Sequence, residues 1–408
     1  MDITALLEQV DPEAIYRHVL RLEGVRHPIE TPDRLAAAAE TIAAEMNACG
    51  LAVRRQEVRV AGWEGLFWNI EGRLGPEDEP AAVLINHYDT VWNTPGANDN
   101  AVSVAVALEA ARVLAQLPSP PALAFVSATL EEGNPAIESQ ARALAIQYGL
   151  RDEGRRYRSH RLARLARQHT ARFEAARLDG QAYGAAISTA AAELAAEMPD
   201  AMRDYYRDLA RLYTAPDDAA NIGLTSKIGS TAWLAEALSQ GRPLRFCICL
   251  DEIGTVSKQP YSQHFPDAIR YDMLHTYRVD AEREIGDFVL LLTNAPAAGL
   301  AERFAAACRR DDIDLPHAWL HFDLPFAEIV RQVPRSLGSD HAAFWQAGIP
   351  GLFVFDTADF RNPFGHSMAD TIDKVDFDQV ARICRAVVAT IADPTVSGGV
   401  LTAEGSSP

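Results

Sequence analysis

Residues 81–89 read Ala81-Ala-Val-Leu-Ile-Asn-His-Tyr-Asp89: an apolar run that stops on a histidine and an acid. A strand with one wet face alternates polar and apolar residues. A run without that alternation fits a strand covered on both faces, as in the middle of an α/β sheet. The segment Ala122-Leu-Ala-Phe-Val-Ser-Ala-Thr129 has the same character, as do 244–250, 287–293 and 350–356, with further strand signals at 51–60 and 66–72. Helical stretches fall before and between them. Asp11-Pro12-Glu13 and Thr31-Pro32-Asp33 each open a helix with proline at its first position. In the second, Leu35, Ile42 and Met46 recur at helical spacing up to a stop near Gly50, and 100–116 is rich in Ala, Val and Leu. Apolar strands alternating with helices predict an α/β fold of three layers, α/β/α, around a mixed, largely parallel central sheet.

One region breaks the rhythm. From 134 to 222 there is no strand signal. Arg161-Leu-Ala-Arg-Leu-Ala-Arg167 has helical spacing, and 185–197 is nearly all Ala, Leu and Glu. This predicts an all-helical insertion, 134–222, a lid or an oligomerisation arm, between the two parts of a catalytic domain, 1–133 and 223–393. Residues 394–408 are small and polar and read as a flexible tail. There is no internal repeat.

Composition narrows the class of function. The 408 residues carry 38 Lys and Arg against 56 Asp and Glu, a formal charge of −18. So acidic a surface repels nucleic-acid phosphates and anionic lipid, which argues against both as partners. No stretch reaches the ~18 apolar residues of a membrane span. The start, Met1-Asp-Ile-Thr-Ala, lacks the basic and apolar parts of a signal peptide. The five cysteines form no CxxC pair. Buried reduced thiols and a cytoplasmic location are the expectation.

The candidate chemistry clusters at strand ends, the edge where open α/β sheets build their sites. His87 and Asp89 follow the 81–86 run. Asp99 sits in Pro95-Gly-Ala-Asn-Asp-Asn100, just before a helix. Glu131-Glu132-Gly133 follows 122–129, Asp251 follows 244–250, and His366 lies in Phe364-Gly-His-Ser-Met368 after the last strand. Singly, each has a plain structural reading: a turn, a helix cap, a solvated pair, a core histidine. Together, two histidines and three carboxylates are the donor set of a paired zinc site. A spare carboxylate beside the ligands can act as general base.

These motifs, in this order, together with Ser339-Asp-His-Ala-Ala-Phe344 and Gly348-Ile-Pro350, resemble the di-zinc aminopeptidase superfamily. That superfamily includes secreted bacterial leucyl aminopeptidases, glutamate carboxypeptidase and the mononuclear glutaminyl cyclases. The resemblance covers roughly 1–133 and 223–393 and resumes after the insertion at Lys227-Ile-Gly-Ser-Thr-Ala-Trp233. It implies two zinc ions: His87, Asp99 and Asp251 on one, and Asp99, Glu132 and His366 on the other, with Asp99 bridging. It also implies Glu131 as general base, Asp89 as the carboxylate that orients His87, and a cis peptide between Asp99 and Asn100. The chain departs from the pattern at Gly365, where many members carry an aromatic residue. Asp340 is expected to cap the next helix while His341 packs.

The activity so implied is hydrolysis of an amide or peptide bond in a small molecule or short peptide, most simply aminopeptidase-like. The alternatives are a glutaminyl-cyclase-like cyclotransferase, a carboxypeptidase or deacylase acting on an anionic small molecule, or a catalytically dead scaffold. Two zinc ions, one and none would separate hydrolase, cyclase and scaffold. The pattern names no substrate-binding residue. Residues 142–177 carry ten Arg against Asp152, Glu153 and Glu174. The insertion is therefore expected either to be a lid that offers Arg to an anionic part of the substrate, or to carry them on a solvated helix face or a dimer arm that pairs with acidic surface elsewhere.

Overall fold

The computed structural model describes residues 2–213, 222–265 and 269–393. Strands β1 (Ala52–Val58), β2 (Phe67–Leu74), β3 (Ala81–His87), β4 (Leu123–Ala128), β5 (Leu244–Leu250), β6 (His275–Tyr277), β7 (Val289–Asn294), β8 (His317–Phe322) and β9 (Gly351–Phe355) form one sheet, ordered β1-β2-β4-β3-β5-β9-β7-β8-β6. The central four, β4, β3, β5 and β9, run parallel, and so do β7 and β8. The other pairings are antiparallel. The sheet is thus mixed, and its parallel part is the part that sequence marked by unbroken apolar runs.

Alternation within those runs sends side chains to two separate cores. Ala82, Leu84, Phe125, Ile248 and Val354 face one side. There they meet helices α1 (Ile3–Leu7), α2 (Pro12–Leu22), α3 (Pro32–Ala48), α4 (Val102–Leu114), and later α10 (Ala298–Cys308) and α13 (Phe377–Ala392). Val83, Ile85, Val126, Cys247 and Phe353 face the other side. Burial on both faces is why these strands lack polar positions.

Between β4 and β5 the chain makes α5 (Pro135–Gln147), α6 (His160–Leu178), α7 (Tyr183–Glu193), α8 (Asp200–Leu212) and α9 (Ile228–Ser239). Helices α5 to α8 share a small core of their own, around Leu165, Ile187, Met198 and Met202. Helix α9 belongs to the sheet: its Trp233 and Leu234 enter the second core, beside α11 (Phe326–Gln332) and α12 (His341–Gln346). Among the described residues no helix is long and apolar enough to cross a membrane. The expected flexible tail, 394–408, and part of the expected insertion, 214–221, lie outside the described residues.

Local signals account for the helix starts. Pro12 follows Asp11, whose side chain accepts from the Glu13 N–H. Asp376 accepts from Gln379 N–H at the start of α13. By contrast, Asp340 precedes α12 without a side-chain cap, contrary to expectation. Its carboxylate is fully buried with neither oxygen hydrogen-bonded, and burial raises its pKa to about 6. His341 does pack: its ring stacks on Phe353 at 4.3 Å, and its Nε2 lies 2.8 Å from the Ser336 carbonyl.

Gly229 sets how closely α9 approaches the active edge of the sheet. A Cβ there would stand 2.1 Å from the Thr129 carbonyl oxygen and 2.5 Å from Asn69 Oδ1. Both are fixed groups, so the helix rather than a flexible side chain would have to move. Gly229→Ala should cost about 2 kcal/mol or more, visible as a lower melting temperature. An unchanged melting temperature would show that α9 is free to shift.

Candidate metal centre

The register of three parallel strands delivers the site. His87 pairs across to Ala128, and Ile85 to Cys249, so β3, β4 and β5 end side by side. The residues that follow them therefore converge: His87 and Asp89, Glu131 and Glu132, and Asp251. The loop 88–101 folds back to add Asp99, and the segment after β9 adds His366.

Two imidazoles and three carboxylates meet there. His87 Nε2 lies 3.3 Å from Asp99 Oδ1 and 3.2 Å from Asp251 Oδ1. His366 Nε2 lies 3.1 Å from Asp99 Oδ2 and 3.2 Å from Glu132 Oε2. Asp99 thus stands between the histidines, one oxygen toward each. Glu131 pairs with neither. The donor atoms of His87, Asp99 and Glu132 all lie within 4.8 Å of one another.

The spacing is compatible with a shared metal. Two ligands each ~2.0 Å from one tetrahedral ion stand ~3.3 Å apart, and the four contacts are 3.1–3.3 Å long. Charge points the same way. Burial raises the pKa of Glu132 to about 7, with help from Asp99 and against His366. Burial also pushes Glu131 well up, against the pull of Lys227. For Asp99 burial is outweighed by His366 and His87, which hold its pKa down. Glu132 pushes His366 up, while burial opposes charge on His87 and Asp251 and its neighbours outweigh it. Buried carboxylates outnumber the imidazoles, so the donor set fits cations.

The supporting groups were only partly foreseen. Asp89 was expected to orient His87. It lies 3.7 Å from His87 Nδ1, within ion-pair distance but beyond hydrogen-bond reach, and Nδ1 has no hydrogen-bond partner. Instead its two oxygens accept from the backbone N–H groups of Glu131 and Glu132, both at 3.1 Å. Leu130 just before them adopts φ +55°, and this turn lets adjacent glutamates both face the site. Asp370 does the same for the next loop, accepting from Asn98 N–H at 2.8 Å and Asp99 N–H at 3.1 Å. The Asp99–Asn100 peptide is cis, as expected.

Arg26 carries no sequence signal. It is buried beneath the loop and donates to the carbonyls of Tyr88 (2.6 Å), Pro95 (3.0 Å) and Gly96 (2.9 Å). It ties down both ends of the segment between His87 and Asp99. Gly96 makes room for this: it adopts φ +67°, and a Cβ would come within 2.4 Å of the Asp99 carbonyl oxygen. Glu252 was likewise missed. It lines the cavity beside Asp251, accepts from Asn362 Nδ2 at 3.2 Å, and is pushed up by burial and by Asp99.

The site opens into a cavity of about 950 Å³. One wall is apolar, built from Leu290, Leu292, Leu320, Phe322, Phe353 and Phe355 of β7, β8 and β9. The segment 134–222 contributes Glu174, Asp179 and Tyr183. None of the ten Arg of 142–177, expected to face an anionic part of the substrate, is among the described residues lining the cavity. Local acids and carbonyls hold several of them. Arg142 and Arg155 pair with Glu30, Arg155 also pairs with Glu138 and covers Trp92, Arg172 pairs with Glu193, and Arg161 bonds the Glu197 carbonyl.

Comparison with known proteins agrees with this geometry. The sequence pattern of peptidase family M28 matches residues 69–271 and 319–391, a span that includes all five donors and Glu131. The Escherichia coli protein YfbL is 23% identical over 389 residues, 92% of this chain and 86% of its own length. A probable zinc metalloprotease of Pyricularia oryzae is 34% identical over 158 residues, 32% of each chain. Among solved structures, the Legionella pneumophila LapA aminopeptidase aligns with TM-score 0.56 at 14% identity, covering 97% of this chain and 74% of that one. A Bacteroides thetaiotaomicron glutaminyl cyclase aligns with TM-score 0.54 at 16% identity, covering 94% and 98%.

Metal uptake should depend on pH. Without metal, His87 and His366 hold protons above the usual imidazole range, and Glu132 titrates at about 7. A metal ion needs all three unprotonated. Binding therefore releases protons, and affinity rises with pH by about tenfold per unit for each proton released. Chelator competition at pH 6, 7 and 8 measures this. Affinity independent of pH would show that the acids and imidazoles are not the ligands.

Proposed function

The chain belongs to peptidase family M28, and on that premise we propose that it hydrolyses an amide bond in a small substrate, most simply as an aminopeptidase. The observation that carries the proposal is Asp99, shared between two histidines, with Glu131 alongside and uncommitted to either. His87, Asp99 and Asp251 would hold one zinc ion, and Asp99, Glu132 and His366 the other. Bound there, zinc would polarise the scissile carbonyl and acidify a water at the site.

The chain's own groups do the rest. Glu131 is buried and faces the cavity. It takes a proton from the attacking water and returns it to the leaving nitrogen. Burial, which raises its pKa, suits a group that must hold that proton between the two transfers. Asp89 keeps Glu131 and Glu132 pointed at different tasks by fixing the turn between them. Glu174, Asp179 and Tyr183 narrow the cavity from the insertion side, which favours small substrates. A cyclotransferase shares the fold. His87 and Asp251, which complete a second set of ligands, favour hydrolysis.

Glu131→Gln should lower kcat by about 10²- to 10⁴-fold and keep two metal ions per chain by elemental analysis. Asp99→Ala should lose metal. If Glu131→Gln loses metal as readily as Asp99→Ala, Glu131 is a ligand and the division of roles fails. One metal ion per wild-type chain would favour the cyclotransferase.

A further inference from the structure

Lys227 lines the cavity and has no part in the proton transfers described above. It is the residue on which the chain returns from the insertion to the sheet. Residues 227–229 are pinned to residues 129–131: the Lys227 N–H donates to the Glu131 carbonyl at 2.9 Å, Ile228 to Leu130 at 3.0 Å and Gly229 to Thr129 at 3.0 Å. Lys227 adopts φ +56°, a left-handed conformation that a lysine does not choose unaided. Its backbone is therefore fixed relative to the base.

The side chain is only 7% exposed. An ammonium has three N–H donors. Nζ gives one to Ser226 Oγ at 2.8 Å and lies 3.6 Å from Glu131 Oε1, too far for a hydrogen bond. Among the described carboxylates no other lies within 4.0 Å of it. A buried cation with unused donors is costly unless an acceptor arrives. The cavity is where an acceptor can arrive.

Position identifies the acceptor. Among the described carboxylates Nζ lies within ion-pair distance of Glu131 alone, so Lys227 stands beside the base and is not paired with Asp99, Glu132 or Asp251. Glu131 must reach the leaving nitrogen to return its proton. A cation beside Glu131 that also lines the cavity is therefore within reach of the leaving group. In a released amino acid the carboxylate is joined to the nitrogen through a single carbon. We propose that Lys227 binds the free α-carboxylate of the amino acid that is released. The substrates are then dipeptides or N-acyl amino acids with a free carboxylate, and the apolar wall of β7, β8 and β9 receives an apolar group. This rests on the hydrolytic reading above and adds the substrate class to it.

The test uses substrate pairs that differ only in that charge. Leucyl-leucine and leucyl-leucinamide are compared on the metal-loaded wild-type, Lys227→Met and Lys227→Arg proteins, with melting temperatures as a check on folding. Wild type should prefer the free acid. Lys227→Met should lower the acid-to-amide ratio of kcat/KM by about 10- to 100-fold, mainly through KM, and Lys227→Arg should retain most of it. A ratio unchanged in Lys227→Met overturns the proposal. So does an equal fall for both substrates through kcat, which would assign Lys227 to the base or the scissile carbonyl. A second arm measures binding of leucine and leucinamide by calorimetry to Glu131→Gln with and without Lys227→Met. The preference for leucine should vanish with the lysine, and a preference that survives its loss overturns the assignment. Absence of turnover on either peptide would sink the hydrolytic reading alone, and the binding arm would still decide for or against Lys227.

Discussion

Everything around the site answers one constraint: carboxylates and imidazoles that must stay charged or metal-bound are held at the end of an apolar sheet. Burying such groups costs several kcal/mol each unless partners compensate. The donors alone do not solve this. Glu131 and Glu132 remain strongly raised by burial, and Glu132 Oε1 has no hydrogen-bond partner. The fold spends its other polar groups on backbone. Asp89, Asp370 and Arg26 hold not the ligand side chains but the peptide groups beside them. The arrangement fixes where each donor starts and leaves its tip free for a metal.

That division explains what sequence could reveal. The central strands were legible because burial on both faces removes polar residues from them, and the donors because they follow those strands directly. Asp99 and His366 were legible only through the ordered motifs. Arg26 was not, since its partners in the site loop are carbonyls of residues 62 to 70 positions away, and a carbonyl acceptor leaves no mark on residue type. Strands β6 and β8 escaped for another reason. The first has three residues, and the second, His317–Phe322, mixes histidine with apolar positions near the sheet edge. Asp340 misled because an acid before a helix usually caps it, whereas burial behind His87 decides its surroundings.

The insertion shows how composition can mislead about function. Its surplus of arginine looked like a surface built for anions. In the fold three of these arginines, Arg142, Arg155 and Arg172, meet acids nearby, Glu30 and Glu138 on the side of the site loop and Glu193 within the insertion. They fasten the helices to the domain and to one another. To the cavity the insertion presents two acids and a tyrosine, Glu174, Asp179 and Tyr183.

The attachment also has a consequence at the far end of the insertion. A chain that leaves after Glu132 and returns at Lys227 must close its loop against Glu131 itself, through the three hydrogen bonds between 129–131 and 227–229. Any strain or motion of the insertion is therefore delivered to the residues beside Glu131 rather than absorbed at a distant surface. The same closure places the lysine. Without the insertion's return at this point, no buried ammonium would stand beside Glu131. The cavity's contributions from this part of the chain then follow from one chain path: the insertion lines it with Glu174, Asp179 and Tyr183, and its re-entry supplies the charge of Lys227.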